Sequence, residues 1–401
     1  MVKLSVCIPS RNRQKYCIET IRSIAKSDVQ DFEVIVGDNS DDPEPLAAFF
    51  ETFDDKRFKL VPPGERVFSM VENWDRLIEY TSGEWVSFIG DDDYIDPELT
   101  VLISGIQETV PDVDALSWMS MNYIWPDIRP KDSKMALSVE TGIHVQSQAE
   151  MLQRMFYWKG ATDRPICNYG IYHCALKREL LETIKDTFGG KYFQHQVVDY
   201  ECICKTILVA KQMVLCQRPM SIMGACAASN SAAIIDPKLV KTVVDTFHKE
   251  VKNSNQDMYQ PKGFPFPDYL GLTAVVGSAI LWVIQEYELE VVGWEKNFVM
   301  ACANDCQSAG NLEEFNLRRK AYAKAIRKWK AGRYLKHFNP VFDKKEGSEF
   351  HSFQGFHKGK IYLDSELNGV KTPGEAYDAL QCIMPSVEFI LKQLKPLKKA
   401  A

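Results

Sequence analysis

Along the first part of the chain, apolar residues alternate between short unbroken runs and longer stretches spaced three and four apart. Lys3-Leu-Ser-Val-Cys-Ile-Pro9 is a continuous run stopped by proline, the pattern of a parallel strand buried on both faces. From Gln14 to Ser27, the residues Cys17, Ile18, Ile21, Ile24 and Ala25 fall on one helical stripe. A second strand follows at Phe32 to Asp38, then a helix marked by Leu46, Ala47, Phe49, Phe50 and Phe53, then a third strand at Arg57 to Val61. Met70, Trp74, Leu77 and Ile78 repeat at helical spacing up to Thr81, and Gly83 closes that helix. Glu84 to Gly90 returns to strand. Strands alternating with helices predict an α/β fold, a mostly parallel sheet flanked by helices.

Beyond about residue 240 the pattern becomes largely helical. Helices are expected at Leu239 to Val251, from Tyr269, at Leu312 to Lys336 and at Pro373 to Leu394. In the last of these Leu380, Ile383, Met384, Val387, Ile390, Leu391 and Leu394 form an apolar stripe. Two units are therefore expected, residues 1–231 and 232–401, and a chain of 401 residues has room for both.

Composition narrows the classes of function. The hydrophobic fraction of 45% and charged fraction of 25% are those of an ordinary globular protein, which excludes a disordered chain. A net charge of −6 argues against nucleic acid as the partner. The eleven cysteines are scattered, no Asn-x-Ser/Thr acceptor occurs, and no apolar leader precedes the first strand. These features predict free thiols in the cytoplasm. The pairs Cys202/Cys204 and Cys302/Cys306 lack zinc-knuckle spacing. Tyr269 to Gln285 carries no charge, but it falls short of a spanning helix and contains Thr, Ser and two Gly. A buried helix or a subunit interface is expected there, with contact at a bilayer surface and oligomeric state both left open.

In sheets of this kind ligands bind beyond the carboxyl ends of the strands. Strand one ends in Pro9-Ser10-Arg11-Asn12-Arg13, strand two in Asp38-Asn39-Ser40-Asp41-Asp42, and the fourth in Asp91-Asp92-Asp93. Three adjacent carboxylates repel one another, and a divalent cation with a preference for hard oxygen ligands, Mg²⁺ or Mn²⁺, offsets that repulsion. Such a cation can bridge a diphosphate and act as a Lewis acid. The plainer reading is a solvated acidic turn, with Asp96 capping the helix that starts near Pro97. Asp38 suits a base or ribose, or equally an Asx turn. Arg11 and Arg13 suit donor phosphates, or equally an ordinary surface.

Taken in order, Ser5-Val-Cys-Ile-Pro-Ser-Arg-Asn-Arg13, Asp31-Phe-Glu-Val-Ile-Val-Gly-Asp-Asn-Ser40, Val71-Glu-Asn-Trp-Asp75 and Thr81 through Asp93 to Pro97 resemble a family 2 glycosyltransferase. The resemblance covers about residues 3 to 231 and implies the nucleotide-binding GT-A fold, with a mainly helical region after it. It implies that Pro9, Ser10 and Asn12 line the nucleotide pocket with Arg13 beside it. Asp38 would hold the base or ribose, with Asn39 and Ser40 alongside, while Arg66 and Asn73 would approach the donor. Asp91-Asp92-Asp93 corresponds to the metal-binding DXD element. Family members carry one more Asp at the position of Gly90, so Asp92 and Asp93 are the better metal candidates and Asp91 and Asp92 would also meet the donor.

The family's base, an acid at the start of a later helix, corresponds to Asp199 in Val198-Asp-Tyr-Glu-Cys-Ile-Cys-Lys205, although Val198 replaces the acid that often precedes it. The base takes the acceptor hydroxyl proton as that oxygen attacks the anomeric carbon. The plainer role for Asp199 is an acid favourable to the helix dipole. After strand-like Gln212 to Cys216, relatives often carry a His or Arg in the loop. Met223 to Ser231 has neither, leaving Ser229, Asn230 and Ser231 as donors. His195 is expected to be structural or to line the acceptor site.

The resemblance thus implies an inverting, metal-dependent transfer from a nucleotide diphosphate-sugar, a UDP-sugar as the first expectation, to a saccharide or lipid-linked acceptor. The stretch Arg318 through Lys336 is basic, with Tyr322, Trp329 and Tyr334 interleaved, and it reads as a solvated helix face or as a surface for anionic lipid. The tail from Lys395 to Lys399 would reinforce the second reading. His351 and His357 suggest no metal site. A sugar nucleotidyltransferase is disfavoured because Pro9 to Arg13 contains no Gly, and a Rossmann dehydrogenase because no GxGxxG follows a strand. A non-catalytic binding subunit on the same fold stays open.

Overall fold

The computed structural model of the chain describes residues 2–229, 259–342 and 353–394. The helix expected from Leu239 to Val251, the loop donors Asn230 and Ser231, His351, the boundary at 231/232 and the Lys395 to Lys399 tail lie outside the described residues.

Among the described residues nine strands form one sheet. Its order is β3 (Phe58–Val61), β2 (Phe32–Asp38), β1 (Leu4–Ser10), β4 (Trp85–Phe88), β9 (Cys174–Lys177), β6 (Ala115–Ile124), β10 (Met213–Ala225), β5 (Tyr94–Ile95), with β8 (Ile143–Gln146) pairing β10 as well. Strands β3, β2, β1 and β4 run parallel, and so do β6 and β10. β9 lies antiparallel between the two parallel sets. The register levels Ser10 with Asp38, and Cys7 with Phe88. The carboxyl ends of β1, β2, β4, β6 and β10 therefore open on one edge.

The unbroken apolar runs reflect burial on both faces of the sheet. Val6, Ile8, Val34 and Val36 face one apolar cluster, while Cys7, Ile35, Val86 and Phe88 face the other. Helices α1 (Gln14–Ala25), α2 (Glu44–Thr52) and α4 (Leu99–Thr109) contribute to the first; α3 (Met70–Ile78), α5 (Gln148–Phe156), α6 (Arg178–Thr187) and α7 (Val198–Val209) contribute to the second. α3 opens on a capping box in which Ser69 Oγ accepts from Glu72 N and the Glu72 side chain accepts from Ser69 N. It ends at Ile78, and Gly83 has a different role: a Cβ there would lie 2.6 Å from Ser5 N.

The C-terminal region packs on both faces. Helix Leu272–Glu286 lies on α7, and most of its residues are buried. No helix among the described residues is long and apolar enough to cross a membrane. Two expected helices are shorter than the pattern suggested. The one from Leu312 ends at Lys328, where Lys330 and Ala331 take left-handed backbone values and 3₁₀ turns follow. The stretch from Pro373 to Leu394 splits into Pro373–Gln381 and Val387–Leu391, because Pro385 cannot continue the first helix. Two strands also occur here, β11 (Gly355–His357) and β12 (Lys360–Asp364), which pair with each other, and β12 also pairs with β7 (Lys134–Ser138) from the N-terminal half. A buried staple holds the last helices: Arg218 donates to the Pro385 carbonyl at 2.7 Å and to Tyr377 Oη at 2.8 Å, and Tyr377 Oη donates to Asp96 Oδ2 at 2.8 Å. Asp96 also accepts from Glu98 N at 2.9 Å, but it lies two residues ahead of the α4 N-cap, which is Glu98, so the capping role expected for Asp96 is not what the structure shows.

Candidate active site

The tight reversal after β4 creates the centre of the site. Asp93 N donates to the Gly90 carbonyl, and Gly90 N donates to Asp93 Oδ2 at 2.6 Å. A Cβ on residue 90 would meet Asp93 Oδ2 at 2.8 Å and Asp92 Oδ1 at 3.1 Å. With Gly at position 90, that space is left to the Asp92 and Asp93 carboxylates. Thr20 Oγ1 bonds the carbonyls of Asp91 and Asp93 from α1.

The three carboxylates differ sharply in environment. Asp93 is fully engaged. Its Oδ2 also accepts from Tyr172 Oη at 2.6 Å and His173 Nε2 at 2.8 Å, and its Oδ1 accepts from Gly224 N at 2.7 Å. Burial pushes Asp93 up, but His173, Tyr172 and Gly224 outweigh it and hold the carboxyl below its ordinary range. Trp118 Nε1 donates to Ser221 Oγ, which also shares a hydrogen bond of 2.7 Å with His173 Nδ1. His173 Nε2 faces Asp93.

Asp91 is buried, accepts from Ser10 Oγ at 2.8 Å and pairs through Oδ1 with Arg13 at 2.8 Å. Burial outweighs these partners and raises its pKa. Asp92 has the least support. Its Oδ1 lies 3.6 Å from Arg13, and its Oδ2 is buried with no hydrogen-bond partner. Burial, followed by the neighbouring Asp93 and Asp91 charges, drives its pKa well up against the opposing pull of Arg13.

Asp92 is the carboxylate best placed to receive a cation. Asp91 Oδ1, held by Arg13, is the next candidate. No group of three or more ligating side chains forms a complete cage among the described residues. A Mg²⁺ or Mn²⁺ ion that completes its shell with diphosphate oxygens and water needs only one or two protein carboxylates, so the donor set fits such an ion.

The nucleotide side of the edge is built from β1 and β2. Asp38 Oδ1 accepts from Ser40 N at 2.9 Å, an Asx turn, while its buried Oδ2 has no partner. Asn12, in the left-handed region at φ 56°, donates its N–H to Ser40 Oγ, and its side chain donates to Asp41 Oδ2 and accepts from Asp41 N. Asn39 clasps the Phe68 backbone with both side-chain atoms at 2.9 Å, which fixes the loop before α3. Pro9 sits level with Gly37 beside this turn. Asn73 is buried and accepts from Arg76 Nε at 2.9 Å, and Arg76 donates to the Asp38 carbonyl at 2.7 Å. Arg66 lies apart, on the exposed loop, where its guanidinium pairs with Glu72.

Asp199 lies in the first turn of α7 with its side chain open to solvent. Surrounding protein mass still desolvates it enough to raise its pKa. Residues 163–173 connect it to the acidic turn: Tyr200 Oη donates to the Pro165 carbonyl, Gly170 lies against the Asp199 backbone, and Tyr172 and His173 hold Asp93. His195 is fully buried among Tyr259 and Trp282, accepts from Val197 N, and is kept neutral by burial, with its pKa lowered to about 3. It is structural.

Sequence reasoning missed Tyr172, His173, Arg76 and Trp125. Trp125 donates to the Asp92 carbonyl at 2.9 Å, and Gly224 approaches so closely that a Cβ there would sit 1.7 Å from that oxygen. A polar Tyr-His pair at the mouth of a short apolar strand was the available signal. Nothing in the spacing tied it to residue 93.

Residues 5–184 match the family model described as Glycosyl transferase family 2. That match covers the N-terminal part of the chain, under half of its length. The chain is 34% identical over 102 residues to the GalNAc(5)-diNAcBac-PP-undecaprenol beta-1,3-glucosyltransferase of Campylobacter jejuni, a match covering 23% of this chain and 30% of that protein. The chain thus spans under a third of the curated relative it matches. Among solved structures it is similar to S. aureus TarS residues 1–349 in complex with UDP-GlcNAc, at 17% identity and a TM-score of 0.46, covering 84% of this chain and 89% of that one. It is also similar to the mannosyltransferase PcManGT from Pyrobaculum calidifontis in complex with GDP-Man and Mn2+, at 18% identity and a TM-score of 0.38, covering 84% and 83%. The mixed α/β fold with its mostly parallel sheet is the architecture expected from the sequence.

Proposed function

We propose that this chain is a family 2 glycosyltransferase that moves a sugar from a nucleotide diphosphate donor to a hydroxyl of a lipid-linked saccharide, with inversion and with help from a divalent cation. The observation that carries the reading is the set of buried carboxylate oxygens without a hydrogen-bond donor on one strand edge: Asp38 Oδ2, Asp92 Oδ2, and Asp91 Oδ1, which faces Arg13. Leaving such atoms buried and unsatisfied is costly unless a ligand completes them. Asp38 suits the hydroxyls or N–H of a nucleoside, and a UDP-sugar is the first donor to try. Arg13 suits the donor diphosphate. Asp92, with Asp91, would hold Mn²⁺ or Mg²⁺, which when bound neutralises charge on the departing diphosphate.

Asp199 is the base in this reading. Its raised pKa keeps it able to accept a proton from an acceptor hydroxyl near neutral pH. Direct displacement by that oxygen inverts the anomeric centre. The lipid-linked acceptor is supported by the name of the Campylobacter jejuni relative, a glucosyltransferase for a PP-undecaprenol-linked saccharide.

The test is Mn²⁺-dependent hydrolysis of a panel of nucleotide sugars by the wild-type protein and by Asp92→Ala and Asp199→Asn. Slow release of one nucleotide diphosphate, lost in Asp92→Ala, identifies the donor and supports the reading. Asp199→Asn is expected to bind that donor normally while losing transfer at least 10²-fold. Failure of calorimetry to detect metal-dependent binding of any donor would favour a non-catalytic role.

A further inference from the structure

The basic stretch after Leu312 builds a concave surface that the transfer chemistry does not use. A groove of about 640 Å³ is lined by Arg319, Lys320 and Arg327 over a floor that includes Ala323, Leu335 and Phe338. From Arg318 to Lys336 every charged residue is basic, in a chain whose net charge is −6. Arg318 is paired with Glu314 and Asp305, and Lys330 with Glu295. Among the described residues no carboxylate pairs with Arg319, Lys320 or Arg327, and all three are exposed. Leu312, Leu317 and Val341 are exposed beside them.

We propose that this face of helix Leu312–Lys328, with the turn after it, docks on a bilayer containing anionic phospholipid. Arg319 and Arg327 are eight residues apart on one helix, a span of about 12 Å at 1.5 Å per residue. One small anion cannot engage both, whereas a sheet of lipid phosphates can. The exposed Leu312, Leu317 and Val341 add apolar area that a soluble anion would leave in water, and a bilayer interface would take it up.

The face is also tied by hydrogen bonds to the segment beside the proposed base. Tyr322 Oη donates to Asp305 Oδ2 at 2.6 Å, the neighbouring Asn304 bonds the Thr162 carbonyl at 2.8 Å, and Thr273 bonds the Asp163 carbonyl at 2.6 Å. That loop continues to Pro165, beneath Tyr200 and next to Asp199. Docking thereby holds the acceptor side of the enzyme at a membrane, and in purpose the proposal rests on the lipid-linked acceptor reading above.

Flotation of the full-length protein with phosphatidylcholine vesicles, with and without phosphatidylglycerol, tests docking without donor or acceptor, so it can fail while transfer stands and the reverse. Binding is expected only with phosphatidylglycerol and should weaken with added salt. At about fivefold per basic side chain, Arg319→Glu/Arg327→Glu is expected to lower vesicle affinity by at least 10²-fold, with metal-dependent donor hydrolysis unchanged. If circular dichroism shows that this variant misfolds, Arg319→Gln, expected to lose about fivefold, replaces it. Equal flotation with neutral vesicles, or a folded variant that floats like wild type, overturns the proposal. So does calorimetric binding of inorganic pyrophosphate at these arginines in a protein that ignores vesicles, which would make the groove a site for a free anion.

Discussion

Replacing Lys205 by methionine would leave the Glu201 carboxylate buried without its counter-charge, at the start of the helix that carries Asp199. In the intact protein Lys205 Nζ lies 2.6 Å from Glu201 Oε1 and 2.9 Å from Gln194 Oε1, and both charged side chains are wholly buried. Glu201 keeps two backbone donors, Gln194 N at 2.9 Å and His195 N at 2.8 Å. Breaking one partner of such a pair costs about 3–5 kcal/mol, and the retained N–H donors favour the lower end, about 3 kcal/mol. Burial already raises the Glu201 pKa against the pull of Lys205, and removing Lys205 raises it further. The folded state of the variant then binds the proton more tightly than the unfolded chain does. Its stability is preserved below the unfolded value of about 4.3 and is lost as pH rises through the folded value. Urea unfolding at pH 5 and pH 8 should therefore show a deficit that is larger at pH 8. The double variant Lys205→Met/Glu201→Gln should recover more than half of that deficit. A single-variant loss below about 1 kcal/mol that does not change with pH would refute the argument, because it would mean water already screens the pair.

Gly224→Ala should abolish donor hydrolysis and lower the melting temperature, because its Cβ would fall 1.7 Å from the Asp92 carbonyl. Asp93→Ala should destabilise the protein by about 3 kcal/mol or more in urea unfolding, since it orphans Tyr172, His173 and the N–H groups of Gly90 and Gly224; Asp92→Ala should cost little stability while losing metal-dependent activity. Tyr377→Phe should cost about 1–3 kcal/mol, measured the same way, because Asp96 Oδ2 and Arg218 each lose a buried partner.

Much of the strand edge was legible in the sequence because its signals are local. A buried parallel strand needs an unbroken apolar run, and the residue where that run stops marks the edge. Ser10, Asp38 and Asp91 therefore group at one edge on sequence pattern, and the register of β1, β2 and β4 brings their strand ends level. The buried helix Leu272–Glu286 was legible for the same reason, from its lack of charge.

What the sequence could not decide was which of three identical side chains is satisfied. Periodicity treats Asp91, Asp92 and Asp93 alike, yet tertiary contacts give Asp93 four donors and Asp91 an arginine, and leave Asp92 Oδ2 with none. Apart from Gly90 N, the Asp93 donors come from the residues just before β9 and from β10, at sequence separations of 79 to 131 residues. Long-range pairing of this kind leaves no periodic trace, so His173 and Gly224 looked like ordinary residues. The breaks at Lys328 and Pro385 and the β11–β12 hairpin have the same origin, since an amphipathic stripe records which face is buried but not where packing turns the chain.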